Sequence, residues 1–194
     1  TAIFTSVDMV HAHQLLSKDG ILTEKSKLLK AAQDIIAYPI QSNYIRPYIA
    51  STKRDHLVYS LVDGASTDTN ISWKDHSFLT HEYGLPQASF HASFWQNEVH
   101  IQTNLLGTEH ASYITLALQL TQIIAIRKWM HYNFPNILDF QGKLQPGRYS
   151  ILEGVWDTIL IDSSYNAAPQ SMHMMINNAL RLRDLCYHER PLRL

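Results

Sequence analysis

The sequence predicts an α/β fold on a mostly parallel sheet, and three observations carry that expectation. The chain opens strand, helix, strand: apolar runs at 2–7 and 35–40 flank a helical segment from about Lys18 to Ala32. That order favours parallel strands joined by a crossover helix. Between Arg54 and Thr103 the pattern changes to short β-type runs divided by turn clusters, which reads as antiparallel hairpins added to the sheet. A long apolar-periodic stretch from His110 to His131 then supplies a core helix.

Each element has its own signal. Ser17 is placed to cap the first helix, and Ile21, Leu22, Leu28 and Leu29 give part of its apolar face. The hairpin runs are His56 to Val62, Ala88 to Trp95 and Val99 to Thr103, separated by Asp63-Gly64-Ala65-Ser66 and Gln96-Asn97-Glu98. In the long helix Ile114, Ala117, Leu118, Thr121, Ile124 and Ala125 recur at helical spacing, and Trp129 and Met130 read as packing residues. Asn133-Phe134-Pro135 and Gln145-Pro146-Gly147 break the pattern, and the second marks the expected domain boundary, dividing 1–145 from 146–194. Beyond it come one strand, Asp157 to Asp162, a loop through Asn166, and a helix opened by Pro169. Met172, Met175, Ile176, Ala179 and Leu180 line one face of that helix. One strand and one helix cannot bury their apolar faces alone, so they are expected to begin a second domain.

Composition narrows the function classes. The chain has 194 residues, 45% hydrophobic and 17% charged, with 16 Lys and Arg against 17 Asp and Glu. That is ordinary globular material, large enough for a substantial core. No long basic run offers nucleic acid or an anionic membrane an electrostatic footprint. One cysteine, Cys186, cannot form an internal disulfide, which makes a reducing compartment, the cytoplasm, the expected location. No apolar stretch reaches the roughly 20 residues of a membrane span, and no signal peptide opens the chain. The absence of an initiator Met before Thr1 suggests a piece of a longer chain.

Local motifs leave the chemistry open. Among eleven histidines, His11 and His13 are the tightest pair but lack a third ligand at a diagnostic distance, and His76 and His81 read as solvated residues of a polar loop. There is no Gly-x-Ser-x-Gly elbow, and Cys186 has no nearby partner for nucleophilic catalysis. The only Gly-Lys pair, Gly142-Lys143, is followed by Leu144, so it is not a phosphate-binding loop of the Gly-x4-Gly-Lys-Ser/Thr type.

Three separated segments change that reading. The run from Thr5 through His11, Gly20 and Glu24 to Lys25 resembles the Mur ligase segment Thr-Asn-x4-His, a Gly/Ser turn, then Ile-Ala-x-Glu/Ala-Lys. The fourteen-residue spacing from His11 to Lys25 is the one that family shows. Leu105-Leu106-Gly107-Thr108-Glu109-His110, continuing to Tyr113, is similar to the Gly-x-His-Asn-Val-Tyr-Asn segment that opens a long helix in the same family. Pro146-Gly147-Arg148 and Asp162-Ser163-Ser164-Tyr165-Asn166-Ala167-Ala168-Pro169, then Ser171-Met172, look like its Gly-Arg and Asp-Asp-Ser/Thr-Tyr-Asn-Ala-Asn-Pro-x-Ser-Met signature. The last wording is that of the MurF type, which joins D-alanyl-D-alanine to the UDP-MurNAc tripeptide.

The resemblance implies an ATP-dependent, amide-forming ligase of peptidoglycan synthesis that passes through an acyl phosphate and uses ATP and Mg²⁺. The implied fold is the latter part of the central ATPase domain, followed by the first strand and helix of a Rossmann-like C-terminal domain. UDP-MurNAc-peptide and D-Ala-D-Ala are the implied partners. The phosphate-binding loop and UDP-sugar domain are expected before Thr1, and most of the third domain after Leu194. Lys25 takes the position of a carbamylated lysine and His11 that of a histidine holding the second metal, a carbamate supplying the hard oxygen donors that Mg²⁺ prefers. Arg148 matches an arginine that reaches the ATP phosphates, Asp162 an acid at the ribose, and Tyr165 and Asn166 the loop beside the nucleotide. By local sequence alone Lys25 is an exposed helix residue, Arg148 a surface arginine after a turn, and His110 a capping or packing residue. Ser6, Ser163 and Ala168 depart from the family pattern, and Ser163, standing where the paired acid is expected, leaves the Asp162 assignment open. Two alternatives stand: a folylpolyglutamate synthase or cyanophycin type of ligase, against which the Tyr-Asn-Ala-x-Pro wording argues, and a non-catalytic binding domain, which the three departures support.

Overall fold

The structure, a computed structural model, describes residues 1–5, 18–42, 45–50, 55–62, 64, 69–80, 84–156, 158–165, 169–187 and 189. His11, Asn166, Ser6, Ala168, Ser17, His13 and His81 lie outside the described residues. In chain order the elements are β1 (Ala2–Ile3), α1 (Lys18–Ala31), β2 (Ile35–Pro39), α2 (Arg46–Ala50), β3 (Asp55–Tyr59), β4 (Ile71–Leu79), β5 (Gln87–Phe94), β6 (Asn97–Thr103), α3 (Thr108–Arg127), β7 (Ile137–Phe140), β8 (Ser150–Glu153), β9 (Ile159–Asp162) and α4 (Pro169–Cys186).

Strands β1 to β7 form one sheet in sequence order, and β8 and β9 form a second, antiparallel pair. The pairings β1–β2, β2–β3, β3–β4 and β6–β7 are parallel, and β4–β5 and β5–β6 are antiparallel. It follows that β5 alone runs against the other six. The C-terminal ends of those six strands therefore share one edge of the sheet, where ligands of open α/β sheets usually bind.

The mixed sheet expected from the sequence is present, with corrections in its parts. The run from His56, a hairpin strand by its pattern, is instead β3 and pairs in parallel with β2 over five residues, Asp55 to Tyr59. The strands β4, β7 and β8 were not anticipated. β7 and β8 are four residues each and largely exposed, too short for a periodic signal. β8 gives β9 a partner in register, Ser150 opposite Asp162, where one unpaired strand was expected.

The core explains which face α3 presents. Trp73, Phe90, Phe94, Val99 and Ile101 from β4 to β6 pack against Ala111, Ile114 and Leu116. Burial of each large apolar side chain contributes roughly 1.5–3 kcal/mol. Trp73, 2% exposed, donates its indole N–H to Ser112 Oγ at 2.8 Å, so the one polar atom of the side chain is satisfied inside the core. The buried face of α3 thus runs through Ser112, Thr115 and Gln119, whereas the expected positions Ala117, Thr121 and Ile124 are exposed. The helix ends at Arg127, and Trp129 follows at φ +55 and 94% exposed, with Met130 exposed beside it. Neither packs, contrary to expectation: once the chain turns out of the helix at a left-handed residue, the helical spacing that aimed them inward no longer applies. A second cluster joins Phe4, Leu22, Leu29, Ile36, Ile45 and Ile49 around β1, α1 and α2.

Candidate functional site

The site begins with a turn. Gln145-Pro146-Gly147-Arg148 closes through the Arg148 N–H on the Gln145 carbonyl at 3.1 Å, with Gly147 at φ +79. Pro at the second position and a left-handed Gly at the third is the pattern of a type II turn. Behind it, the Tyr165 N–H donates to the Gly147 carbonyl at 3.0 Å, and a Cβ on Gly147 would lie 2.9 Å from Tyr165 backbone and side-chain atoms. The close approach puts the Arg148 guanidinium over the Tyr165 ring, 4.4 Å from its centroid. This cation–π contact aims a long, otherwise mobile side chain without neutralising its charge.

Asp162 ends β9, three residues before Tyr165. Its Oδ1 accepts the Ser164 N–H at 3.1 Å. Hydrogen bonding from the Ser164 side chain, then from its backbone, holds the carboxyl below its ordinary value, so it is ionised at neutral pH. The folded chain therefore brings Arg148, Asp162 and Tyr165, three of the residues singled out in the sequence, into one cluster.

The cluster borders a cleft of about 330 Å³. Its walls include Leu85 and Pro86 before β5, Asn104 and Leu105 after β6, Gly142 and Lys143 after β7, Tyr149 just before β8, and Ile151, Leu152 and Asp162 from the second sheet. These loops meet at the C-terminal edge of the parallel strands. Asn104 clips two of them together, its Nδ2 donating to the Gly142 carbonyl and its Oδ1 accepting the Gly142 N–H, both at 2.8 Å. Sequence reading missed Asn104 and Tyr149; no local pattern marks a side chain whose partner is 38 residues away.

His110 lies in the first turn of α3, with its ring 6.5 Å from that of Tyr149. It is not the cap, which is Gly107. Burial holds its imidazole below the usual value, the Glu109 carboxylate opposing. Burial also pushes the Tyr149 phenol up, so both groups stay neutral near pH 7.

Lys25 stands apart. It is exposed on α1, with Nζ 5.9 Å from the centroid of Phe4 at the end of β1, and its neighbours Glu24 and Lys27 form an ion pair at 2.5 Å. It shares the sheet edge with the cleft, but five strand spacings of about 4.8 Å, roughly 24 Å, separate β1 from β6. Among the described residues no group of three or more His, Cys, Asp or Glu is arranged to hold a metal ion. Among the same residues no helix is long and apolar enough to cross a membrane.

This architecture has known counterparts. The chain superimposes on the crystal structure of a MurF ligase from Thermotoga maritima in complex with ADP with a TM-score of 0.67, covering 93% of this chain at 15% identity. The fold is that of a Mur ligase. A crystal structure of MurF from Acinetobacter baumannii gives a TM-score of 0.60 over 92% of this chain at 17% identity. The chain spans 39% and 37% of these two Mur ligases, about two fifths of their length. No family model and no curated protein matches the chain.

Proposed function

We propose that this chain is the nucleotide-holding part of a Mur-type ligase, which uses ATP to join a carboxylate to an amine in the synthesis of peptidoglycan precursors. The observation that carries the reading is the cluster of Arg148, Tyr165 and Asp162 against the Gly147 turn, beside a cleft at the C-terminal edge of a Mur ligase fold. The motif order supports it, as does the ADP in the Thermotoga maritima structure.

In this reading residues 1–145 belong to the central domain and 146–194 begin the C-terminal one, a division supported by the change of sheet between Phe140 and Ser150. The activated carboxylate is that of the UDP-MurNAc tripeptide and the incoming amine that of D-Ala-D-Ala, as the wording around Tyr165 and Asn166 suggests. ATP supplies the driving force that makes a carboxylate an acyl donor. This chain's own residues bind and orient: Arg148 presents a fixed positive charge to phosphate, held in direction by Tyr165, and ionised Asp162 accepts from ribose hydroxyls. A mobile arginine would lose rotamer freedom on binding; the stacked one has already lost it. The described residues by themselves do not make a magnesium site, so no step is derived through the metal. Lys25, as a carbamate, and His11 are its proposed ligands in the whole enzyme.

Titration of the chain with ADP by calorimetry tests the reading. Binding is expected to weaken by about tenfold in Arg148→Ala, while AMP, with fewer phosphates, changes less. Equal losses for ADP and AMP would remove Arg148 from the phosphates, and no binding by the native chain would remove the nucleotide.

A further inference from the structure

The C-terminal helix meets the main sheet at a fault in strand β4. Lys74 pairs with His91 and Ser77 with Ser89, so β4 carries one extra residue opposite Phe90, a β-bulge. Asp75 takes φ +59 there, a left-handed conformation that Asp tolerates better than most residues. The insertion shifts the side-chain alternation by one. Ile71 and Trp73 are buried before it, and His76 and Phe78 after it. The His76 ring lies against Trp73 and Phe78 at 5.8 and 5.3 Å and stacks over Phe90 at 6.3 Å.

A bulge also takes backbone groups out of the strand ladder, and here α4 supplies a donor. Arg181 Nη2 donates to the His76 carbonyl at 3.2 Å, and its guanidinium carbon lies 5.8 Å from the centre of the Phe78 ring. One residue further along α4, Leu182 is buried with Phe78, Ala88, Leu106 and Tyr149. The apolar part of this contact attracts without direction. The hydrogen bond from a planar, charged donor to one carbonyl has direction, and it selects one placement of α4 along β4.

The cleft lies between two walls. One, Asn104 to Leu105 and Gly142, follows the ends of β6 and β7; the other, Tyr149 to Leu152 and Asp162, belongs to the segment of β8 and β9, whose Ile151 and Ile161 share an apolar cluster with Met175 and Leu182 of α4. We propose that Arg181 is a positioning residue that registers the second sheet and α4 on the β4 bulge and thereby sets the width of the cleft. The role in nucleotide binding rests on the reading above; the docking role does not.

The full chain with Arg181→Ala or Arg181→Lys tests this by ADP calorimetry and by amide hydrogen exchange. Arg181→Ala is expected to weaken ADP by about tenfold. Arg181→Lys, whose ammonium still donates one bond to the carbonyl, is expected to stay within about threefold of the native chain. Amides of β8 and β9 are expected to exchange roughly tenfold faster in Arg181→Ala, with those of β5 and α3 unchanged. A general loss of stability would raise exchange everywhere, and that pattern overturns the proposal, as does native ADP affinity in Arg181→Ala. If the native chain binds no ADP, the nucleotide reading fails by itself. Exchange then decides: acceleration confined to β8 and β9 upholds the docking role, and unchanged exchange overturns it.

Discussion

Gly147 and Tyr165 meet backbone to backbone, the Tyr165 N–H on the Gly147 carbonyl at 3.0 Å, and the glycine's missing side chain is what lets them. The contact holds Arg148 over the Tyr165 ring. Two constraints coincide at the glycine: φ +79 disfavours any L side chain, and a Cβ would lie 2.9 Å from Tyr165. Gly147→Ala is therefore expected to destabilise the fold by about 1–3 kcal/mol and to weaken ADP binding. Urea denaturation followed by calorimetry checks both; unchanged values for the variant would show that the turn relaxes freely.

The acid limb of stability depends in part on Asp162. Its carboxyl is held below the ordinary 3.8, first by the Ser164 side chain and then by the Ser164 backbone N–H. A depressed folded-state value gives stability that is present above the unfolded value and lost as pH falls through the folded one. Ser164→Ala leaves the backbone bond and removes the stronger one, so the Asp162 midpoint is expected to rise toward 3.8 and the variant's stability to depend less on pH in that acid range. Carboxyl NMR titration measures the midpoint directly, and identical curves for native and variant chains discard the assignment.

Lys25 can be tested without turnover. If it reacts with carbon dioxide to give the proposed carbamate, native protein equilibrated with ¹³C-bicarbonate should show a carbamate carbon resonance that is absent from Lys25→Ala. A native spectrum without that resonance removes Lys25 as a proposed metal ligand.

Ser112→Ala strands the buried indole N–H of Trp73, which donates to Ser112 Oγ at 2.8 Å. An unsatisfied buried donor costs about 1–3 kcal/mol, and denaturation midpoints should fall accordingly. Trp73→Phe with Ser112→Ala removes both partners. The double variant should lose less than the sum of the single ones, and strict additivity would mean that the bond contributes nothing.

The sequence by itself determined the features that short-range rules govern. Strand, helix and strand at the start give the parallel β1, β2 pair because a crossover helix leaves that geometry. Pro146-Gly147 gives the type II turn, and Pro169 opens α4. The same local order carried the motif resemblance that pointed to Arg148, Asp162 and Tyr165.

Tertiary structure decided what depends on residues far apart in the chain. His76 read as solvated because an alternating pattern broken once looks like a loop; the extra residue in β4 restores the phase and buries the ring among Trp73, Phe78 and Phe90. Trp129 read as core because helical spacing continued past Arg127, where the chain had already turned to φ +55. The pairing of Asn104 with Gly142 and the reach of Arg181 to the His76 carbonyl span 38 and 105 residues. Periodicity and propensity act over a few residues, whereas such contacts exist only once strand register and loop closure have brought the partners together.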